Sequence, residues 1–249
     1  GKPSTLILAF VICWIYMVKR FELLRLSRTD FINDNSHMLK NMLSAGLSMG
    51  FMSSLVNIGS LTLQTAINKL GKDIIVAHTA ARKISEIFMI MFTVFGQTMA
   101  TYCGQNIGAG KHDRARATLR YALLIAGGFG IFVAVVVQFV APAVVGLFTS
   151  DQTVITFGGQ YIRGYIFDCF FAGIHFCFSG YFCAYGKSGI SFFHNIVAIL
   201  CVRIPGAYLT SKWFLQTLFP MGIATACGSL LSALICVAAF YLSRSAISD

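Results

Sequence analysis

A chain of 249 residues with 57% hydrophobic and 11% charged side chains cannot cover a water-facing surface, where about 25% charged is ordinary. That excludes an ordinary soluble domain and makes lipid the solvent for most of the chain. The net charge of +10 does not indicate nucleic acid as a partner, because the basic residues sit in short segments between apolar runs rather than along one face of a domain.

A membrane-crossing helix needs about 20 mostly apolar residues. Seven stretches approach that, at 5–18, 42–67, 74–103, 121–148, 161–184, 190–209 and 219–242. None shows the period-2 alternation of a membrane barrel, so the sequence predicts an all-α integral membrane protein. The first span is short. It is followed by the long polar connector 19–40, which reads as an amphipathic linker on the membrane surface. The second span holds no Asp or Glu, only Asn57 and Gln64 among its larger polar residues, and carries Gly46 and Gly50 four apart. The third has its charges, Arg82, Lys83 and Glu86, in its first half. Pro142 near the end of the fourth span and Pro205 inside the sixth should each kink a helix. Ser150 and Asp151 are placed to cap the fifth, whose first turn is expected near Gln152.

The stretch GQNIGAGKHDRARATLR, 104–120, joins spans three and four. As a phosphate loop it fails, since Gly110-Lys111 is followed by His112 and the required first glycine is Gln105. It reads instead as a turn at the end of a helix, followed by cations suited to anionic headgroups. With seven crossings, one side of the membrane holds eleven Lys and Arg in its connecting and terminal segments, and the other holds Lys2, Lys69, Lys72 and Lys212. The excess places the richer side, with 19–40, 104–120, 185–189 and the C-terminus, in the cytoplasm. The eight cysteines lie in or beside apolar runs with no CxxC pair, so they read as packing residues rather than as a disulfide or metal framework. The absence of HExxH and of paired deep carboxylates argues against an enzyme.

These phrases, in this order, resemble the C-terminal lobe of multidrug and toxic compound extrusion (MATE) transporters. The resemblance covers AGLSMGFMSSLVNIGSLTLQTAINKLGKDIIVAHTAARKI, GQNIGAGKHDRARATLRYALLI, VVGLFTSDQTVITFGGQYIRGY, and VRIPGAYL followed by GIATACGSLL. It implies that 1–18 is the last helix of an N-terminal lobe, 19–40 a cytoplasmic linker and 41–249 a six-helix lobe. It also implies an antiporter exporting organic cations against sodium ions or protons across a plasma membrane, the bacterial inner membrane being the expected one. The first five helices of the other lobe, which would complete the cleft, are then expected upstream. Ser48 stands where many relatives have proline, and an acidic position of some sodium-coupled relatives falls near Ala172, one turn after Asp168.

Charge inside a bilayer is costly, so it marks a cavity or a partner. Two groups qualify for substrate or ion binding. Lys83 and Glu86, with Arg82, can form i,i+3 and i,i+4 pairs, either as a self-neutralising network or on the transport path. Asp168, Phe171, His175 and Phe178 share a helical face that suits an organic cation through charge and cation–π attraction. The alternative for Asp168 is a partner on a neighbouring helix, and Arg203 is expected to anchor the bent region around Pro205. No cofactor and no metal site are expected beyond the coupling ion. A lipid-linked oligosaccharide flippase of a related fold is the nearest alternative, disfavoured by the small and mixed set of deep charges. A non-transporting membrane partner is another.

Overall fold

The computed structural model describes residues 2–22, 36–68, 71–214 and 217–245. They form α1 (Lys2–Arg20), α2 (Ser36–Ile67), α3 (Lys72–Gly108), α4 (His112–Gly146), α5 (Gln152–Ala184) and α6 (Ser188–Ala198). A π-helical turn (Ile199–Arg203), α7 (Ile204–Trp213) and α8 (Phe219–Ser245) complete the order. The all-α expectation holds among the described residues, which contain no strand. Residues 23–35 of the expected linker lie outside them. The chain divides into two units, Gly1–Met42 and Leu43–Asp249. The first holds α1, whose apolar side chains are largely exposed.

Among the described residues, five helical stretches are long and apolar enough to cross a membrane: α3, α4, α5, α6 through α7, and α8. Of the best apolar window in α5, 61% is buried, against 22% to 33% in the other four, so α5 is the central post. It packs on α3, α4 and α8. Lipid tails are as apolar as leucine, so close backbone approach must supply much of the cohesion. A Cβ at Gly180 would collide with the carbonyl of Gly96 and come within 2.9 Å of Met99 Cβ. One at Gly222 of α8 would lie 2.6 Å from the Tyr161 carbonyl. Glycine at these two positions lets α3 and α8 touch the backbone of α5.

Two apolar clusters result. One gathers Ile84, Phe92, Val137, Tyr161, Ile166 and Leu218. The other gathers Met99, Leu119, Cys177, Phe178, Phe182 and Cys236 around the C-terminal half of α5. The outer faces are apolar as well, with Phe139 80% and Leu124 71% exposed, as a lipid-facing wall requires.

The helix ends have local causes. Asp151 caps α5, its carboxylate accepting from Thr153 N–H at 2.8 Å and Val154 N–H at 3.3 Å. The glycine-rich stretch turns later than the composition suggests. Gly104 and Gly108 are helical, and the turn is confined to 109–111. There Gly110 takes φ +71°, its N–H reaches Ile107 O at 2.9 Å, and Lys111 N–H reaches Asn106 O at 2.7 Å. This is the double bond of a Schellman cap. The same cap recurs after α5, with Gly186 at φ +71°, Gly186 N–H to Cys183 O at 3.0 Å and Lys187 N–H to Phe182 O at 2.9 Å. The α4 helix continues through Pro142 to Gly146. The interruption expected at Pro205 falls upstream of it. Proline has no N–H for the Cys201 carbonyl. The preceding turn widens instead, and Ile204 N–H reaches back five residues to Ile199 O.

Candidate functional site

Asp168 sits at the middle of α5 and is fully buried. Its charge is met by Arg203, the last residue of the π turn, with Nη2 donating to Oδ1 at 3.2 Å. The same Nη2 donates to Ser229 Oγ of α8 at 2.6 Å. The widened turn thus brings its guanidinium between α5 and α8, and Gly228 makes room for it, since a Cβ there would lie 2.5 Å from Arg203 Cγ. Of the readings open for Asp168, the structure contains the partnered one. Arg203 anchors the bent region, as expected, and does so on Asp168.

From this pair a line of buried polar groups follows α5 toward its C-terminus. Ser229 Oγ lies 3.5 Å from His175 Nε2, and the His175 ring is 5.5 Å from that of His194 on α6. His194 is held on both sides, Nδ1 by Ser232 Oγ at 2.5 Å and Nε2 by Ser179 Oγ at 2.8 Å. Ser191 then donates to the Ser179 carbonyl at 3.2 Å and faces Cys183 Sγ at 3.7 Å. Asp168, His175, His194, Ser229 and Ser232 are all at most 2% exposed.

The two phenylalanines expected beside Asp168 have other neighbours. Phe171 is half-buried, edge-on to Phe170 at 5.0 Å. Phe178 is in the second apolar cluster, against Phe182 and Phe240. On the opposite flank, Arg163 and Gln138 hold α5 to α4 by exchanging side-chain-to-carbonyl bonds of 3.0 Å each.

The α3 group resolves into one pair. Arg82 Nε donates to Glu86 Oε1 at 3.2 Å, and the Glu86 side chain is 61% exposed. The Lys83–Glu86 pair does not form: among the described residues Lys83 is exposed and makes no ion pair. Asn57 is exposed on α2, and Gln64 donates to Asn68 Oδ1 at 2.9 Å.

Sequence reasoning passed over a further feature. Lys83, Glu86, Gln97 and Thr101 lie on one face of α3 and are all exposed. Gln97, Thr98, Thr101, Tyr102 and Gln105 line a shallow open depression. At 1.5 Å per residue the 37 residues of α3 reach about 55 Å, longer than a hydrocarbon core of about 30 Å. The Thr101 hydroxyl bonds back to the Gln97 carbonyl at 3.1 Å, whereas hydrocarbon would leave the Gln97 side-chain amide unpaired.

Apolar helices around a central post, with polar groups both buried and displayed, define a multi-pass membrane helical bundle. The MatE family model matches residues 48–209, and the chain belongs to that family. A "Probable multidrug resistance protein YpnP" of Bacillus subtilis is 23% identical over 182 residues, covering 73% of this chain and 41% of that protein. Among solved structures, a MOP superfamily transporter from Pyrococcus furiosus, described as having a binding pocket of reverse polarity, superposes with a TM-score of 0.86 at 18% identity. That match covers 99% of this chain and 55% of the other. An outward-facing multidrug resistance MATE family transporter gives 0.85 at 18% identity, covering 97% and 55%. The chain therefore spans less than half the length of the curated relative and a little over half of the solved ones.

Proposed function

We propose that this chain is the C-terminal lobe, with the preceding helix, of a secondary-active antiporter that exports organic cations in exchange for sodium ions or protons across a plasma membrane, and that it works with an N-terminal lobe of similar size. The observation that carries the reading is the exposed polar face of α3. A membrane helix that displays the Gln97 amide requires water or a polar partner beside it, and a cleft between two lobes supplies both. Glu86, largely exposed beside Arg82, puts an anionic group on that face for a cationic substrate. Lys83, Asn57 and Gln64 are the further lining candidates, and α5 with Asp168 forms the rigid backing. The length relation to the matched proteins supports a second lobe, and the distribution of Lys and Arg supports a cytoplasmic 104–120 turn.

The test is labelling of single cysteines in the full-length protein by a membrane-impermeant maleimide, with Gln97→Cys compared with Phe139→Cys on the apolar face of α4. Gln97→Cys should react, and an added organic cation should slow the reaction. Equal inertness of the two positions would refute the cleft.

A further inference from the structure

We infer that Lys83 and Glu86, with the apolar side chains that follow them on α3, form a binding site for an organic cation that also carries a carboxylate. The ligand's ammonium meets Glu86 and its carboxylate meets Lys83. The place of this site in a transport cycle rests on the antiport reading above; the site itself does not.

Lipid does not cover this face. The helices α3 and α4 form a hairpin turned at 109–111, so residues equally far from Gly110 lie level with one another. Two contacts agree: the Phe92 and Phe129 rings are 5.7 Å apart, and Cys103 Sγ is 3.7 Å from Ala115 O. Lys83 and Glu86 stand 27 and 24 residues before Gly110, level with 134–137 of α4. There α4 turns Val135, Val136 and Phe139 outward. Its exposed residues are apolar without a break from Leu124 to Leu147, about 35 Å of helix, which is a full hydrocarbon thickness. At that depth α3 exposes an ammonium and a carboxylate instead. Charges so placed face a cavity or a partner.

The charges on the face select the ligand. Arg82 Nε holds Glu86 Oε1 at 3.2 Å, and Lys83 makes no ion pair among the described residues. From 41 to 67 α2 has no charged side chain to offer it, and Lys72 and Asp73 at the start of α3 are ten or more residues away and cancel. Arg82, Lys83 and Glu86 together sum to +1. A ligand that is only a cation meets two positive groups against one negative. A ligand that is only an anion is repelled by Glu86. One that bears both charges is attracted at both points, its ammonium by the Glu86 oxygen that Arg82 leaves free and its carboxylate by Lys83.

The body of such a ligand has a surface to rest on. Ile87, Ile90, Met91 and Val94 continue the same face at helical spacing and are 49% to 59% exposed. Ile87 to Val94 is about 10 Å of rise, and Gln97 begins the next polar stretch. An apolar strip that short, bounded by charge at one end and an amide at the other, does not match a hydrocarbon core of about 30 Å. It matches the apolar part of a small organic molecule. Met91 adds a flexible thioether that adapts to more than one shape.

The test uses the full-length protein in lipid nanodiscs and two dyes, the zwitterion rhodamine B and its ethyl ester, which differ only at the carboxylate. Binding is read by fluorescence anisotropy with the signal of empty discs subtracted. Rhodamine B should bind at least about fivefold more tightly than the ester, the factor at the upper end for an exposed ion pair. Lys83→Gln should erase that difference by weakening rhodamine B and not the ester, and Lys83→Arg should keep it. Glu86→Gln should weaken both dyes. Equal affinities in the wild type, binding of neither dye, or a preference that survives Lys83→Gln would overturn the proposal. The last result, joined to a lower melting temperature of Lys83→Gln, would show Lys83 paired to a carboxylate of the other lobe. If the preference depends on Lys83 but neither a proton nor a sodium gradient moves rhodamine B in proteoliposomes, the antiport reading falls and the site stands. If a gradient moves both dyes and they bind equally, the site falls and the antiport reading stands.

Discussion

The pair of Asp168 and Arg203 makes an asymmetric prediction. The Asp168 side chain is 1% exposed and that of Arg203 is 29% exposed. Replacing Arg203 with methionine preserves much of the stem and leaves a buried carboxylate without its counter-charge, which should cost about 3–5 kcal/mol. Replacing Asp168 with asparagine leaves a guanidinium that still reaches Ser229 and, in part, the exterior, and an amide oxygen that can still accept from it. That variant should lose about 1–3 kcal/mol. The double variant removes both charges and should recover about 2 kcal/mol relative to the sum of the singles, within the usual range for residues in contact. The assay is reversible unfolding in mixed detergent micelles, following helix loss by circular dichroism. If the two single costs add to within about 0.5 kcal/mol, the groups behave as independent sites, and the account of α5 held to the π turn by charge is wrong.

Two further outcomes can be measured by the same method. Gly180→Ala should destabilise by about 1–3 kcal/mol, because the new methyl meets the Gly96 carbonyl and Met99 Cβ and backbone cannot step aside; Gly128→Ala, with nothing within 4 Å, should be neutral or slightly stabilising. Asp151→Ala should cost about 1 kcal/mol by freeing the Thr153 and Val154 N–H groups, and Asp151→Asn should restore most of it; equal losses in the two variants would show that the cap bonds are not the cause.

The membrane class, the start of α5 at its Asp151 cap and the turns after α3 and α5 were legible, because each depends on neighbours in sequence. A span is visible as an apolar run, and Gly110 and Gly186 each take the left-handed φ of +71° by which the chain leaves a helix. The reach of α3 to Gly108 was less visible, since Gly104 and Gly108 look like turn residues and only the bonds of Lys111 and Gly110 fix the end. Periodicity placed Asp168 and His175 on one face of α5 but could not say what stood opposite. Arg203 is 35 residues away and His194 19 residues beyond His175, and both arrive through the packing of α6 and the π turn. The serines of α8 were silent in an apolar span, although their spacing of three at 229 and 232 is the one signal they offer. Gln97 and Thr101 were overlooked because a search for charge does not find uncharged amides and hydroxyls.

The positions of the polar groups divide the unit Leu43–Asp249 into two kinds of surface. Those on α3 point outward, where Glu86 and Gln97 contribute little to cohesion and a change of charge alters what the face attracts. Those between α5, α6 and α8 point inward, and each holds two helices together. The inward set is concentrated where the backbone is weakest. The π turn lacks the ordinary bond that Pro205 would have donated, and beside the packing of Ile199 a guanidinium bonded to Asp168 and Ser229 ties it to α5 and α8. By contrast α3, α4 and α8 press on α5 through contacts with no slack, including the backbone of Gly180 and Gly222. Packing of that kind is bistable at best and does not deform gradually. A change of shape within this unit is therefore expected to begin at the α6–α7 junction, where the Asp168–Arg203 pair ties the π turn to α5.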